Sequence, residues 1–139
     1  MAKGPILKRI LIGSLVLFAL LCSMTAFFVH SRNNAPPDES GNTPLVLVEN
    51  FIEAIRERDY TGAIEYVNGD VPEVIVSGSG LTFEDYCLKH FDCDTYQLDG
   101  PSRGKPGVFF VRYKGELNGS GKSFLFALEL IDGQWKIVL

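Results

Sequence analysis

The chain has 139 residues, of which 46% are hydrophobic and 22% charged, and its formal net charge is −4. That length accommodates one domain of about 100 residues and a terminal segment. Residues 1–32 carry four basic residues and no acid, whereas residues 33–139 carry seventeen acids against nine Lys and Arg. An acidic domain of this kind repels phosphate backbones, which argues against nucleic acid as a partner.

Residues 10–29, ILIGSLVLFALLCSMTAFFV, form an uncharged run of twenty residues. A helix of that length crosses a hydrocarbon core of about 30 Å. Three of the flanking basic residues precede the run, and one follows it together with a histidine. The positive-inside rule therefore predicts a single-pass signal anchor over residues 1–32, with the N-terminus inside and the following domain outside.

Two alternatives remain for this segment. A signal peptide would be cleaved near the small residues at 23–25, but the apolar run is longer than the usual core of such a peptide. A lipoprotein would be lipidated at Cys22, although Leu21 stands where a small residue is the norm. In a bacterium, the anchor predicts a domain on the periplasmic side of the cytoplasmic (inner) membrane.

Residues 33–43 are rich in Asn, Pro, Asp, Ser and Gly and show no apolar periodicity, which predicts a linker. Thr43 and Pro44 then provide the cap and first residue of a helix. Apolar residues recur at helical spacing up to Ile55, and Asp59 is placed to cap a second short helix.

A third helix is predicted to begin at Thr82, with Asp85 at the spacing of a capping box. Between the second helix and this one, residues 71–76 are compatible with either an edge strand or a further helical turn. Residues 77–80, Ser-Gly-Ser-Gly, indicate a flexible break.

From Thr95 onward the apolar period changes to two, which indicates strands. Asp132-Gly133 is a typical two-residue hairpin turn. The predicted fold class is α+β, with about three helices packed on a four-stranded antiparallel sheet. The expected strands are residues 96–98, 108–117, 122–131 and a last strand from 135, with a long turn over residues 100–107.

Two motifs support a family resemblance. The corner Arg58-Asp59-Tyr60 follows the first helix, and the ending Gly-Gln-Trp-Lys-Ile covers residues 133–137. With this order of elements, residues 44–139 resemble the nuclear-transport-factor-2-like (cystatin-like fold) superfamily, most closely its small membrane-anchored or lipoprotein domains in bacteria. The resemblance implies a cone-shaped domain, in which a curved sheet wraps a long helix and leaves a cavity at the open end.

The same resemblance bears on enzymatic activity, since some members are isomerases or dehydratases. The isomerase type uses a Tyr on the first helix, where this chain has Phe51, and an Asp where residues 74–76 are aliphatic. The dehydratase type depends on histidines, and residues 44–139 hold only His90. We therefore expect a non-enzymatic domain without a cofactor or metal.

A cone cavity would offer a site for a small hydrophobic ligand, which is the alternative function. Its expected lining is aromatic: Phe51, Tyr86, His90, Phe126 and Trp135.

His90 is either a general base in that cavity or a histidine at a helix C-terminus, and the absence of a paired acid favours the second interpretation. Cys87 and Cys93 form an even pair outside the anchor, which makes a disulfide an open possibility in an oxidising compartment.

Phe110 falls on the polar face of its predicted strand, together with Arg112 and Lys114. An aromatic side chain in that position is typical of a contact patch. The preferred hypothesis is therefore a membrane-tethered domain that binds a partner protein or a second copy of itself through this patch.

Overall fold

The computed structural model describes residues 35–138, and the predicted α+β class is confirmed. The sheet is antiparallel, and its strands follow chain order. The helices are α1 (Pro44–Arg56), α2 (Tyr60–Glu65), α3 (Val71–Ser79) and α4 (Phe83–Phe91). The strands are β1 (Thr95–Arg103), β2 (Val108–Leu117), β3 (Ser120–Ile131) and β4 (Gln134–Val138).

The predicted anchor over residues 1–32 and the alternative lipidation site Cys22 lie outside the described residues. Within residues 35–138, no helix combines the length and the apolar character that crossing a membrane requires.

The first two helices begin at the predicted caps. The hydroxyl of Thr43 accepts a hydrogen bond from the N–H of Val46, and Pro44 occupies the first helical turn. Arg58 adopts a left-handed backbone conformation with φ of 63°, which ends α1 and redirects the chain. The carboxylate of Asp59 then accepts from the N–H of Gly62 at 2.9 Å and caps α2.

The structure has four helices rather than about three, because residues 71–79 form α3. Val71 and Ile75, four residues apart, are buried on one side of this helix, whereas Val74 and Val76 are half-exposed. Gly80 ends the helix in a left-handed conformation, so the expected flexible break is the last turn of α3 and its cap. The closely spaced valines resemble a strand, which is why this segment was ambiguous.

Strand β1 is longer than predicted, because it continues through residues 100–103, which were assigned to a turn. The ladder with β2 is regular from Thr95 to Asp99, shifts register, and resumes at Ser102. Gly100 and Pro101 occupy this irregularity. A bulge accommodates residues that are otherwise turn formers, so pairing continues past them.

One face of the sheet packs against the helices. On this inner face, Val111 lies opposite Phe126, and Phe109 lies opposite Leu128. All four are buried, while the alternate residues of β2 are exposed or half-buried. Strand β2 therefore has the predicted bounds and the predicted alternation.

Residues 35–43, here called the arm, lie against the hairpin that joins β3 and β4. One carboxylate oxygen of Asp38 accepts two backbone N–H groups within the arm, at 2.9 and 2.8 Å. The other oxygen accepts the backbone N–H of Trp135 at 3.2 Å, and the Trp135 indole N–H donates to the carbonyl of Pro36 at 3.0 Å. Residues that the sequence assigned to the linker thus contribute contacts to the domain from Ala35 onward.

Replacing Asp38 with alanine removes one acceptor that holds three N–H groups. We expect the free energy of unfolding to fall by about 1–2 kcal/mol. The emission of Trp135, the single tryptophan of the chain, should move to longer wavelength as water reaches its indole. Denaturant titration followed by tryptophan fluorescence measures both effects.

Asp70→Ala is the matched control, because the Asp70 side chain precedes α3 without making a capping hydrogen bond. Equal losses of stability in the two variants would show that Asp38 does not hold the arm.

Candidate functional site

The predicted cavity is filled by the protein's own side chains. Three of its five expected lining residues, Phe51, Tyr86 and Phe126, do come together in the interior. The space left between them and their apolar neighbours is about 10 Å³. A single water molecule needs about 10–15 Å³ of such space, so the interior has no room for an organic ligand.

Trp135 lies elsewhere. Its ring packs edge-on against Phe109 with centroids 5.4 Å apart, and its indole N–H is bonded to the arm. Its position between the sheet and the arm explains its burial without a ligand. Trp135 therefore stabilises the β3–β4 end of the sheet and does not line the interior with Phe51.

His90 also lies outside the interior lining. The centroid of its ring is 4.4 Å from the ring centroid of Tyr86 and 6.2 Å from that of Phe124. Burial, together with the positive charges of Lys89 and Lys122, lowers the pKa of His90 below its ordinary value. The imidazole therefore binds a proton less readily than an exposed histidine, and it lies in the last turn of α4, the helix end at which the sequence places it.

The chemistry of an isomerase has no counterpart at the predicted positions. Phe51 presents a hydrocarbon ring that packs edge-on against Phe91 and Phe126. The segment 74–76 belongs to α3, and only Ile75 of it is buried. The interior lining contains two polar groups, the hydroxyl of Tyr86 and the thiol of Cys87.

Cys87 and Cys93 are free thiols in the structure, which has no bridge between them. A bridge required the chain to turn back after Phe91. Instead Asp92 is extended, with φ of −65° and ψ of 120°, and leads the chain away toward β1. Both thiols are buried, and burial raises the pKa of Cys87 to about 12.

The low pKa of His90 predicts a specific pH dependence of stability. The folded state binds the proton less readily than the unfolded state, so stability is lost as pH falls through the ordinary histidine value of about 6.5. Between pH 8 and pH 5, wild-type protein should lose more stability than His90→Gln. The carboxylates contribute equally in both proteins, so the difference between the two losses reports on His90. Denaturant titrations at several pH values in this range measure the free energy of unfolding of both proteins. Equal losses of stability in wild type and His90→Gln would contradict the prediction.

Burial of both thiols predicts that iodoacetamide leaves Cys87 and Cys93 unmodified in the native protein at pH 8. The Cys87 thiol, with its pKa raised to about 12, presents almost no thiolate to react, and burial keeps the reagent from Cys93. Both should be alkylated after unfolding in guanidinium, as peptide mass spectrometry would show. Rapid native alkylation, or a peptide pair linked through Cys87 and Cys93 in a non-reducing digest, would contradict this arrangement.

The three residues of the predicted contact patch share the other face of the sheet, here called the outer face. Arg112 and Lys114 are exposed, and Phe110 is half-buried. The Phe110 ring lies directly against Gly104, in the turn between β1 and β2. Phe110 is therefore partly covered by its own turn, and less exposed than the sequence suggested.

Lys114 belongs to an ordered group of polar side chains on the outer face. Its Nζ is 2.6 Å from Oδ2 of Asp99, and the Gln97 amide donates to Oδ1 of the same carboxylate at 2.9 Å. These contacts, led by the bond from Lys114, hold the pKa of Asp99 below its ordinary value. Asp99 stays ionised and links β1 to β2.

Leu125 is part of the outer face and was missed in the sequence. It lies opposite Arg112 in the ladder between β2 and β3, and 51% of its surface is exposed. The available signal was its position between Phe124 and Phe126, which places it on the opposite face of the strand.

An open groove of about 590 Å³ crosses β1, β2 and β3 next to this patch. Part of its lining consists of residues with small or no side chains, which leave the backbone uncovered: Gly115, Gly121 and Ser123. Longer polar side chains come from Gln97 and Lys114. The groove therefore continues the outer face beyond its apolar residues as far as β1, the first strand of the sheet.

Charge is divided between the two layers. Residues 35–94, which contain the helices, hold thirteen acids and three basic residues, a net charge of −10. Residues 95–139, which contain the sheet, hold four acids and six basic residues, a net charge of +2. The sheet is therefore the part of the domain that an acidic partner would approach.

Comparisons with protein-family models, with curated proteins and with solved structures find no match to this chain. The resemblance to the nuclear-transport-factor-2-like superfamily thus stays a prediction from the motifs at residues 58–60 and 133–137.

Proposed function

We propose that this chain is a membrane-tethered, non-enzymatic domain that binds a protein partner through the outer face of its sheet. The observation that carries the proposal is the half-exposed Leu125, which lies opposite Arg112 and one ladder step from Phe110. An aliphatic and an aromatic side chain beside an arginine is the composition of many interface centres.

The closed interior favours the surface over the alternative of a ligand carrier. Sites for small molecules usually enclose about 300–1,000 Å³. The interior here leaves about 10 Å³, because Phe51, Tyr86 and Phe126 meet in it. Opening a ligand site would require these rings to separate, at the cost of their mutual packing.

The charges of the outer face indicate the chemistry of the partner. Within residues 35–138, Lys114 is paired with Asp99, whereas Arg112 forms no ion pair. Arg112 is thus available to a carboxylate on the partner, with Leu125 and Phe110 packing beside it. A protein surface with an apolar depression and an adjacent acid fits these requirements, on another protein or on a second copy.

The location of the domain is part of the proposal. The uncharged run at residues 10–29 would hold the chain in the bacterial cytoplasmic membrane, N-terminus inside, with the domain in the periplasm. A domain held there meets partners in the same membrane or close to it.

Leu125→Glu should abolish partner binding without unfolding the domain. The substitution places a carboxylate in the apolar part of the outer face, where it repels the acid expected opposite Arg112. Because residue 125 is half-exposed, the free energy of unfolding should change by less than about 0.5 kcal/mol. Cross-linking of the full-length protein in cells, followed by mass spectrometry, measures the loss of its recurrent adducts. Phe110→Glu should act in the same direction.

Leu130→Glu is the matched control, because Leu130 lies on the same strand, is 50% exposed and alternates to the opposite face. Adducts that survive Leu125→Glu, or that disappear equally with Leu130→Glu, would contradict the outer-face interface.

A further inference from the structure

The two edge strands of the sheet, β1 and β4, differ in whether other segments cover their free backbone groups. The edge of β4 is covered: the N–H of Trp135 donates to Asp38, and the N–H of Ile137 donates to the carbonyl of Tyr66 at 2.9 Å. The carbonyl of Ile137 accepts the N–H of Asn68 at 2.8 Å. The arm and the segment after α2 therefore occupy the hydrogen-bonding groups of this edge.

The edge of β1 has no such cover. β1 pairs with β2 on one side, and no other segment of residues 35–138 pairs with it as a strand. Its regular part is Thr95–Asp99, since the register shifts after Asp99 and Pro101 has no N–H to donate. A row of unpaired backbone groups five residues long is a template for another strand.

We propose that β1 pairs, antiparallel, with β1 of a second copy of this chain. The two-fold axis passes beside Gln97, and the two sheets join into one of eight strands. This interface is separate from the outer face and does not depend on the function proposed for it.

The side chains of Thr95–Asp99 complement themselves in this register. On the inner face, Tyr96 of each copy meets the partner's Leu98, which makes two aromatic–aliphatic cross-strand pairs. Both residues are half-buried within one copy. The Tyr96 hydroxyl donates to Glu53 at 2.7 Å, and the guanidinium of Arg56 lies 5.6 Å from the ring centre, so the ring is already held in place.

The outer-face side chains are equally compatible. Thr95 of each copy meets the partner's Asp99, so a hydroxyl faces a carboxylate and no like charges are opposed. Gln97 meets the partner's Gln97, and amides pair through donor and acceptor. Asp99 is already held by Lys114 and Gln97, and it retains acceptor capacity for the hydroxyl.

Other registers are poorer. A slip of two residues in one direction places Pro101 opposite Thr95, and in the other it moves the pairing beyond the start of β1. A slip of one residue pairs inner-face with outer-face positions and so places the helices of the two copies on opposite sides of the sheet. The register centred on Gln97 is the one that pairs all five residues.

Gln97→Lys tests the interface, because it opposes two ammonium groups at the two-fold axis. Sedimentation velocity on the full chain in detergent micelles, over about 1–500 μM, should show self-association about tenfold weaker than wild type. Gln134→Lys is the matched control, since Gln134 is also an exposed strand glutamine, on β4. A monomer throughout this range for wild type, or no weakening by Gln97→Lys, would overturn the proposal.

Gln97→Cys gives a second measurement, which does not depend on weakening the dimer. Directly opposed residues of antiparallel strands have Cα atoms about 4.5–5.5 Å apart, within the range of a disulfide. Mild oxidation should yield a reducible dimer linked through residue 97, and Gln134→Cys should not. Equal dimer yields for the two variants would refute the register. Leu125→Glu should leave this dimer intact, which distinguishes it from the outer-face interface.

Discussion

Phe91 is the residue around which the rest of the domain is arranged. It is the last residue of α4, it is 2% exposed, and aromatic side chains from three other elements meet its ring. The centroids of Phe51, Tyr113, Phe124 and Phe126 lie between 5.0 and 5.6 Å from it. These contacts join α1 and α4 to β2 and β3, and they fill the space that an open cone would leave for a ligand.

A filled interior moves the chemistry of the domain to its surface. The helical part is strongly acidic, and several of its acids have structural roles within the domain. Asp59 caps α2, and the Thr82 hydroxyl accepts from the N–H of Asp85 at 3.1 Å at the start of α4. The outer face differs, because the half-exposed Leu125 lies opposite Arg112, which forms no ion pair within residues 35–138. The arm adds a second asymmetry, since it closes one edge of the sheet and leaves β1 open.

Much of the fold was predictable because it depends on local chemistry. Thr43, Asp59 and Thr82 are caps whose side chains accept from the N–H groups three residues later, and the alternation in β2 predicted its two faces correctly. The misses involve tertiary contacts that override local preference. The valines around Ile75 became a helix because α3 packs on α4, and residues 100–103 became a strand because β2 was there to pair with them.

The candidate site was predicted less well, for the same reason. Phe51, Tyr86 and Phe126 were correctly grouped, but whether grouped rings leave a cavity depends on how they interlock, which no spacing reveals. Trp135 was misplaced because its partner, the arm, has the composition of a linker. The His90 ring is tilted against that of Tyr86, and its pKa is lowered by burial and by the charges of Lys89 on α4 and Lys122 on β3.

Hydroxyl-radical footprinting tests most directly whether the outer face is the working surface. The full-length protein would be oxidised in its native membranes and again after purification, and modification would be compared residue by residue. Phe110 and Leu125 should be protected in membranes and modified after purification, while Val74 and Leu130, which are exposed elsewhere, should not change. Protection of Val74 in membranes, with Phe110 and Leu125 equally modified in both samples, would contradict the outer face as the site of binding.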